Sequence, residues 1–284
     1  MPMTQPPQSL EAVAATLRAS GCVFAEDEAR LLIAAAPDPG TLAAMVERRA
    51  AGLPIEHVVG WAEFCGLRVP VDRGVFVPRR RTELLVRQAV ALLGGARTGQ
   101  ESRRPAGAGP ARPVVVDLCC GSGAIGAAIA AAAGPVELHA ADIDAAAVRC
   151  ARRAVGPYGG RVHLGDLYQA LPVTLRGRVS LLAANVPYVP SEQIRLLPAE
   201  ARLHESAAAL DGGSDGLAVL RRVAGAAPRW LAPGGYLLSE TSEQQADRAA
   251  AAMRAAGLSP TVERSDDLGV AVIIGRYVRF SAAP

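Results

Sequence analysis

The stretch that most constrains the fold is an apolar strand followed at once by a glycine-rich turn and a helix of small residues. The strand spans residues 114–118 and the helix begins near residue 124. The turn between them consists of Cys119, Cys120, Gly121, Ser122 and Gly123. Glycine has no Cβ, so such a turn lets a ligand approach the backbone, and the free N–H groups that open the helix then face that ligand. This pattern predicts a nucleoside-binding βαβ unit.

A carboxylate stands at the spacing expected for a ribose ligand. Asp142 lies 21 residues after Gly121, behind a second apolar strand over 136–141. An acidic residue about 20 positions past the glycines commonly receives a ribose hydroxyl. Asp142 is therefore the predicted ribose ligand.

The turn departs from the dinucleotide pattern Gly-x-Gly-x-x-Gly, because Cys119 takes its first position. The acidic Asp117 near the end of the strand would repel a pyrophosphate, but it suits a cationic ligand that carries an amino acid. S-adenosylmethionine has a positive sulfonium and an amino group that needs an acceptor. We therefore expect S-adenosylmethionine as the cofactor, with Asp117 among the residues that bind it.

Composition excludes several chemistries. No residue of the chain is a lysine, which removes Schiff-base and P-loop lysine mechanisms. The five cysteines show no Cys-x-x-Cys spacing and the four histidines are scattered, so we expect no metal site and a reduced, cytoplasmic protein. Residues 1–9 lack the features of a signal peptide, and no apolar run is long enough for a bilayer.

Three parts follow one another along the chain. Residues 1–53 have helical periodicity, with Ser9 as the first N-cap, and predict a small helical domain that either only packs or holds a macromolecular substrate. Residues 54–83 are rich in β-formers and predict a linking β-hairpin. Residues 84–284 form the third part, in which the Gly-, Pro- and Arg-rich segment 94–112 predicts a flexible loop.

The third part alternates strands and helices. Its predicted strands cover 114–118, 136–141, 161–164, 179–184, 236–239, 259–264 and 270–278. Alternation of this kind is typical of an α/β fold with a mostly parallel sheet covered on both faces, here closed by a C-terminal hairpin. A ligand should lie at the carboxyl ends of the strands, where Asp117, Asp142, Asp166 and Asn185 fall.

A second motif, Asn185-Val186-Pro187-Tyr188, follows the strand over 179–184. A buried asparagine is costly unless it forms a hydrogen bond. Its carbonyl can accept one hydrogen of an –NH2 group, and the Val186 carbonyl can accept the other, since Pro187 favours an extended residue before it. Tyr188 offers a flat face. This motif suits a planar amide or an exocyclic amine, activated by positioning and electrostatics rather than by a general base.

The run Arg79-Arg80-Arg81 precedes a helix predicted over 84–93. Such a triplet is usually a solvated face. The alternative is that it meets a carboxylate or a phosphate near the cofactor.

With both motifs in view, the sequence resembles the release-factor glutamine N5-methyltransferases, a class I S-adenosylmethionine-dependent family. That family methylates the glutamine of the Gly-Gly-Gln motif in bacterial peptide-chain release factors. The matching blocks include residues 60–67, 77–84, 210–217 and 233–238. The resemblance implies a Rossmann-like, seven-stranded, mostly parallel sheet with an antiparallel C-terminal strand, a methyltransferase domain over 84–284 and a substrate-binding domain over 1–53.

The resemblance also implies roles for individual residues. The turn from Cys119 to Gly123 would bind the methionine part of the cofactor, and Asp166 with Leu167 would flank the adenine. The segment from Asn185 to Tyr188 would bind the target amide. The expected partner is a release factor bound by a monomeric enzyme, with no stable nucleic acid and no membrane.

Departures from the family pattern indicate a divergent branch. Val186 stands where the family usually has proline, and Cys119 stands where it usually has glycine. Three other functions stay open: an amino-methyltransferase acting on adenine or cytosine of nucleic acid, which must flip its base, a cofactor-binding protein without activity, and a small-molecule methyltransferase.

Overall fold

A helical N-terminal part, a two-stranded hairpin and a seven-stranded α/β sheet follow one another along the chain. The computed structural model describes residues 9–101 and 112–278. The hairpin lies between the helical part and the large sheet along the chain. The helical part also contacts the α/β part directly, since the Arg49 guanidinium pairs with Glu200 at 2.6 Å.

The N-terminal part is built of short helices with a core of their own. They are α1 (Leu10–Ala19), α2 (Ala25–Ala35), α3 (Pro39–Ala50) and α4 (Ile55–Val59). The Ser9 side chain accepts a hydrogen bond from the Ala12 N–H at 3.2 Å, which confirms the predicted N-cap. Helix α4 was not predicted: its β-branched residues suggested a strand, but their burial against the other helices prevails over that propensity.

The linking hairpin is confirmed. Strands β1 (Trp61–Phe64) and β2 (Leu67–Pro70) pair antiparallel. Cys65 and Gly66 form the two-residue turn between them with φ of 50° and 73°, the positive values that a type I′ hairpin turn requires.

The next helix is longer than its sequence indicates. A 3₁₀ turn leads into α5 (Glu83–Glu101). The flexible loop predicted over 94–112 is therefore wrong for 94–101, and 102–111 lie outside the described residues. Gly94 and Gly95 cost about 1 kcal/mol each relative to alanine in a helix, but the buried face of α5 packs against the sheet and holds the preceding turns in place.

The large sheet confirms the predicted α/β architecture. Its strands are β3 (Val114–Leu118), β4 (Glu137–Asp142), β5 (Arg161–Leu164), β6 (Val179–Ala184), β7 (Leu231–Ser242), β8 (Leu258–Ser265) and β9 (Val270–Tyr277). Their order is β5-β4-β3-β6-β7-β9-β8. Within this sheet, as far as the structure describes it, β9 pairs antiparallel with β7 and β8 and the other pairings are parallel. The chain moves outward from β3 first on one side and then on the other, which makes the carboxyl ends of β3 and β6 the topological switch point.

Helices cover both faces of this sheet. They are α6 (Ala124–Ala133), α7 (Ala145–Val155), α8 (Ala199–His204), α9 (Ala207–Leu210), α10 (Ala218–Ala226) and α11 (Ala246–Ala255). Short 3₁₀ helices occupy Arg80–Thr82, Gly156–Tyr158, Leu167–Ala170, Val173–Leu175, Ser191–Leu196, Ala227–Arg229, Glu243–Gln245 and Asp266–Leu268. Helices α5 and α6 bury one face of the sheet, and α10 and α11 bury the other.

Within residues 9–101 and 112–278, no helix is both long enough and apolar enough to cross a membrane. Over the same ranges, no group of three or more His, Cys, Asp or Glu side chains is placed to hold a metal ion. The cysteines of the chain all lie in these ranges and are free thiols.

Candidate active site

A cavity of about 580 Å³ opens at the carboxyl ends of the parallel strands. Most of the residues singled out in the sequence line it. They are Cys119, Cys120, Gly121, Ser122, Asp142, Asp166, Leu167, Asn185, Val186, Pro187 and Tyr188. Gly123, the last residue of the turn, and Asp117, in the strand before it, are not part of this lining. Four strand ends, remote from one another in sequence, therefore converge on one cavity.

The turn after β3 adopts a backbone that glycine favours. Cys119, Gly121 and Gly123 have φ of 55°, 53° and 80°. A Cβ on Gly123 would lie 2.9 Å from the Ala151 Cα, so only glycine fits where this turn crosses α7. The left-handed conformation of Cys119 is strained, because a non-glycine residue rarely adopts it.

Asp142 ties this turn to the end of β4. Its Oδ2 accepts a hydrogen bond from the Gly121 N–H at 2.8 Å, and its Oδ1 accepts one from the Asp144 N–H at 2.9 Å. Burial raises the pKa of Asp142 above its ordinary value, although these N–H groups oppose the shift. A carboxylate oxygen can accept more than one hydrogen bond, so Asp142 can still receive a ligand hydroxyl.

Ile143 is a cavity residue that sequence reasoning missed. It lies between two aspartates, lines the cavity and exposes most of its apolar side chain. An apolar residue directly after the predicted ribose ligand is the signal that could have identified it.

Asp117 supports the turn from behind. Its side chain is fully buried, and its Oδ2 accepts a hydrogen bond from the Gly126 N–H at 2.9 Å. Its Oδ1 has no hydrogen-bond partner within the described residues. Burial raises the pKa of this carboxyl to about 7. The hydrogen bond from the Gly126 N–H opposes that rise, and the nearby negative charge of Asp142 adds to it. Its role as a direct cofactor ligand stays a prediction.

Asp166 and Leu167 form the far end of the cavity. Leu167 has a φ of 48°, and the Asp166 carboxylate pairs with the Arg222 guanidinium at 2.5 Å. Arg222 comes from α10 and also lines the cavity. No local sequence pattern associates Arg222 with Asp166, which lies 56 residues earlier.

Asn185 places an unpaired acceptor at the cavity wall. Its Nδ2 donates to the Thr82 Oγ1 at 3.4 Å. Its Oδ1 is buried and has no hydrogen-bond partner in the described ranges. Because an unsatisfied buried polar atom costs about 1–3 kcal/mol, such an atom in a cavity calls for an explanation, and a ligand donor is one.

The backbone of the 185–188 turn is held by a glycine-rich segment and by one side chain. The Gly212 N–H donates to the Val189 carbonyl at 2.9 Å. The Gln245 Nε2 donates to the Tyr188 carbonyl at 3.0 Å and to the Asp215 carbonyl at 3.1 Å. The sequence pattern predicts Gln245 only as the partner of Ser242 in a capping box, and the two side chains do meet at 2.9 Å. Its contact with the 185–188 turn has no local pattern, because these residues are remote in the chain.

The Tyr188 side chain is also anchored. Its hydroxyl donates to the Glu240 Oε1 at 3.0 Å. Burial, followed by the negative Glu240, raises the pKa of Tyr188 well above its ordinary value, so the hydroxyl remains a donor at neutral pH. Arg81 also meets Glu240, and Arg79 meets Glu205. The arginine run was expected either to be a solvated face or to meet a carboxylate or a phosphate near the cofactor. Arg79 and Arg81 each meet a carboxylate.

The comparisons agree with this geometry. The model of the "Methyltransferase small domain" family matches residues 108–232. A release factor glutamine methyltransferase of Bordetella pertussis is 37% identical over 82% of this chain and 81% of its own length. A 4-amino-L-phenylalanine/4-methylamino-L-phenylalanine methyltransferase of Streptomyces pristinaespiralis is 36% identical over 78% of this chain and 73% of its own. A methyltransferase structure from Pyrococcus furiosus shares the fold, with a TM-score of 0.51, 15% identity and coverage of 83% and 98%.

The buried Asp117 carboxyl makes stability depend on pH. Its folded pKa of about 7 exceeds the ordinary value of 3.8. Between these values the folded protein keeps a proton that the unfolded chain has released, so stability falls as pH rises. The loss approaches about 4 kcal/mol over this range.

In the variant Asp117→Asn the side chain at position 117 stays neutral at every pH. This variant therefore does not lose stability through titration of that side chain. Urea denaturation of both proteins without ligand should therefore show the wild type losing stability relative to the variant between about pH 4 and pH 7. Parallel stability profiles for the two proteins would show that the Asp117 carboxyl does not titrate in this range.

Gly216 is required where it passes the 185–188 turn. Its φ is 76°, and a Cβ there would lie 2.3 Å from the Tyr188 carbonyl oxygen and 2.2 Å from the Gln245 Nε2. Gly216→Ala should lower the free energy of unfolding by roughly 3 kcal/mol, through overpacking and backbone strain. The matched control is Gly225→Ala in α10, where a Cβ meets nothing within 4 Å and alanine favours the helix by about 1 kcal/mol. Equal effects of the two substitutions, measured by urea denaturation, would refute the close approach.

Proposed function

This chain belongs to the release factor glutamine methyltransferase family, and from that membership we propose that it methylates the side-chain amide nitrogen of a protein glutamine. The methyl donor is S-adenosylmethionine, and the target is the glutamine in the Gly-Gly-Gln motif of a peptide-chain release factor. The observation that carries the proposal is the buried, unpaired Oδ1 of Asn185 at the cavity wall. A glutamine –NH2 group is a donor that this acceptor lacks.

The cavity suits a cationic nucleoside. Asp142 would receive the ribose hydroxyls, and the turn from Cys119 to Gly123 would receive the methionine part. Ile143 and Leu167 offer apolar surface for the adenine. Arg222 is neutralised by Asp166, so it does not oppose a positive ligand. When bound, S-adenosylmethionine supplies an electrophilic methyl group on a sulfonium.

The residues of the 185–188 turn prepare the amide nitrogen for attack. An amide nitrogen is a poor nucleophile because its lone pair is delocalised into the carbonyl. Asn185 Oδ1 and the Val186 carbonyl would each accept one amide hydrogen, which fixes the –NH2 group and draws electron density onto the nitrogen. Thr82 orients the Asn185 side chain by accepting from its Nδ2. Preorganised acceptors of this kind lower the barrier without a general base. Once the nitrogen carries the methyl group, it releases one of its two protons to water.

The comparison with the Streptomyces enzyme supports a second candidate. Its name refers to the amine of 4-amino-L-phenylalanine, and an aromatic –NH2 group also fits two acceptors beside a flat side chain. The nucleic-acid alternative is not favoured, because these relatives are named for a release factor or an amino acid.

Labelling with methyl-labelled S-adenosylmethionine tests the proposal. The purified protein should label a bacterial release factor, and Gln→Ala in the Gly-Gly-Gln motif of that factor should abolish the label. Label on 4-amino-L-phenylalanine alone would favour the second candidate. Label on DNA or RNA alone would overturn both.

The role of Asn185 is tested by substitution. Asn185→Ala should slow turnover by about 3 kcal/mol, roughly a hundredfold, because one preorganised polar contact to the reacting group is lost. The affinity for S-adenosylmethionine, measured by calorimetry, should not change. Gln193→Ala serves as the control, since this exposed amide lies outside the cavity lining. Equal turnover of the Asn185 and Gln193 variants would contradict the role given to Asn185.

A further inference from the structure

Resting on the proposed function, we propose that Arg79 and Arg81 bind the substrate and select a glutamine within a peptide over one that carries a free carboxylate. Both side chains line the cavity. Each is paired from behind with a buried glutamate, so that it can donate hydrogen bonds without presenting an unpaired positive charge.

Arg79 is held by Glu205. Its Nη2 lies 2.6 Å from the Glu205 Oε1, and its side chain is 34% exposed whereas that of Glu205 is 1% exposed. The Val77 N–H also donates to this oxygen, at 3.2 Å. The guanidinium lies over the Phe76 ring, 5.0 Å from its centroid. The carboxylate of Glu205 is therefore buried, while the Arg79 side chain stays partly exposed and lines the cavity.

Arg81 repeats this arrangement two residues further along the chain. Its Nε lies 3.4 Å from the Glu240 Oε1, and the two side chains are 44% and 1% exposed. The same oxygen accepts the Tyr188 hydroxyl. Thr82, the next residue, contacts Asn185. The segment 79–82 thus places guanidinium donors next to the acceptors proposed to hold the target amide.

The charge balance of the cavity decides what these donors can hold. The cationic residues that line it in the described ranges are Arg79, Arg81 and Arg222, and each is paired with a carboxylate. The lining also includes Glu200, which pairs with Arg49, and it includes Asp142 and Asp144, which have no arginine partner among the described residues. A free carboxylate entering here would meet no unpaired cation of the described residues, and would meet two acidic side chains.

A peptide carbonyl has different requirements. It is neutral, and it can accept from the guanidinium N–H groups that the glutamates leave unused. Charge complementarity of this kind sets specificity more than affinity. The paired arginines therefore favour main-chain carbonyl groups on either side of an in-chain glutamine, and they disfavour the carboxylate of a free amino acid.

Two short peptides test this selection. Acetyl-Gly-Gly-Gln-amide and acetyl-Gly-Gly-Gln with a free carboxylate differ only in the charge next to the glutamine. The wild type should methylate the amide with a kcat/KM about tenfold or more above that of the acid, the scale of one charge contact in a partly desolvated site. Equal values for the two peptides would overturn the inference.

Removing the buried carboxylates should change that ratio. Glu240→Gln and Glu205→Gln each leave one arginine without its counter-charge, so the amide-to-acid ratio should fall severalfold towards one in either variant. The control Glu137→Gln makes the same substitution at a carboxylate paired with Arg178, and neither of these residues lines the cavity. It should keep the wild-type ratio. A merely structural role of the glutamates would lower activity on both peptides and leave their ratio unchanged, which would contradict the inference.

Binding separates this inference from the proposed function. Calorimetry with S-adenosylhomocysteine present measures the affinity of both peptides for the wild type without turnover. Preference for the amide peptide without methylation of any glutamine would overturn the proposed function and support the charge selection. Methylation of the release factor, combined with equal affinity for the two peptides, would support the proposed function and overturn the charge selection.

Discussion

The buried, unpaired side-chain oxygen of Asn185, Oδ1, is the feature around which the rest of the site is arranged. A buried acceptor without a hydrogen-bond partner lowers the stability of the protein. The fold holds this oxygen in place and gives it no partner among the described residues. Thr82 takes the amide nitrogen of the same side chain, so the oxygen remains without a partner. Gln245 and Gly212 hold the backbone that follows. The turn is therefore rigid before any substrate arrives, which is the condition for electrostatic preorganisation.

The part of the cavity proposed to bind the cofactor has a similar concentration of unfavourable features. Cys119 keeps a left-handed backbone that glycine would adopt more easily, and Asp117 is buried with one oxygen unpaired. Both are unfavourable for stability, and both lie where β3 meets the glycine-rich turn. Local strain and buried polar atoms concentrated in one region are typical of a binding site rather than of a structural core.

Sequence alone indicated the cavity because its residues follow local rules. Strands end at polar residues, parallel strands place those ends together, and a glycine turn opens a helix. Thus Asp142, Asp166 and Asn185 could be assigned to one site before the fold was known. The contacts that hold the site could not, because Glu240, Gln245 and Gly216 act on residues remote in the chain and carry no local pattern. The extension of α5 beyond residue 93 was missed for a related reason, since its glycines are tolerated through packing that sequence does not display.

The charges around the cavity connect recognition to chemistry. Arginines that would otherwise attract anions are neutralised by buried glutamates, which leaves the site suited to a cationic cofactor and a neutral amide. We propose that Asn185 Oδ1 and the Val186 carbonyl hold the two hydrogens of the target amide. A crystal structure with S-adenosylhomocysteine and a Gly-Gly-Gln peptide would test this arrangement. We expect the glutamine nitrogen within hydrogen-bond distance, about 3 Å, of both oxygens. A glutamine amide bound elsewhere, with Asn185 Oδ1 still unpaired, would contradict it.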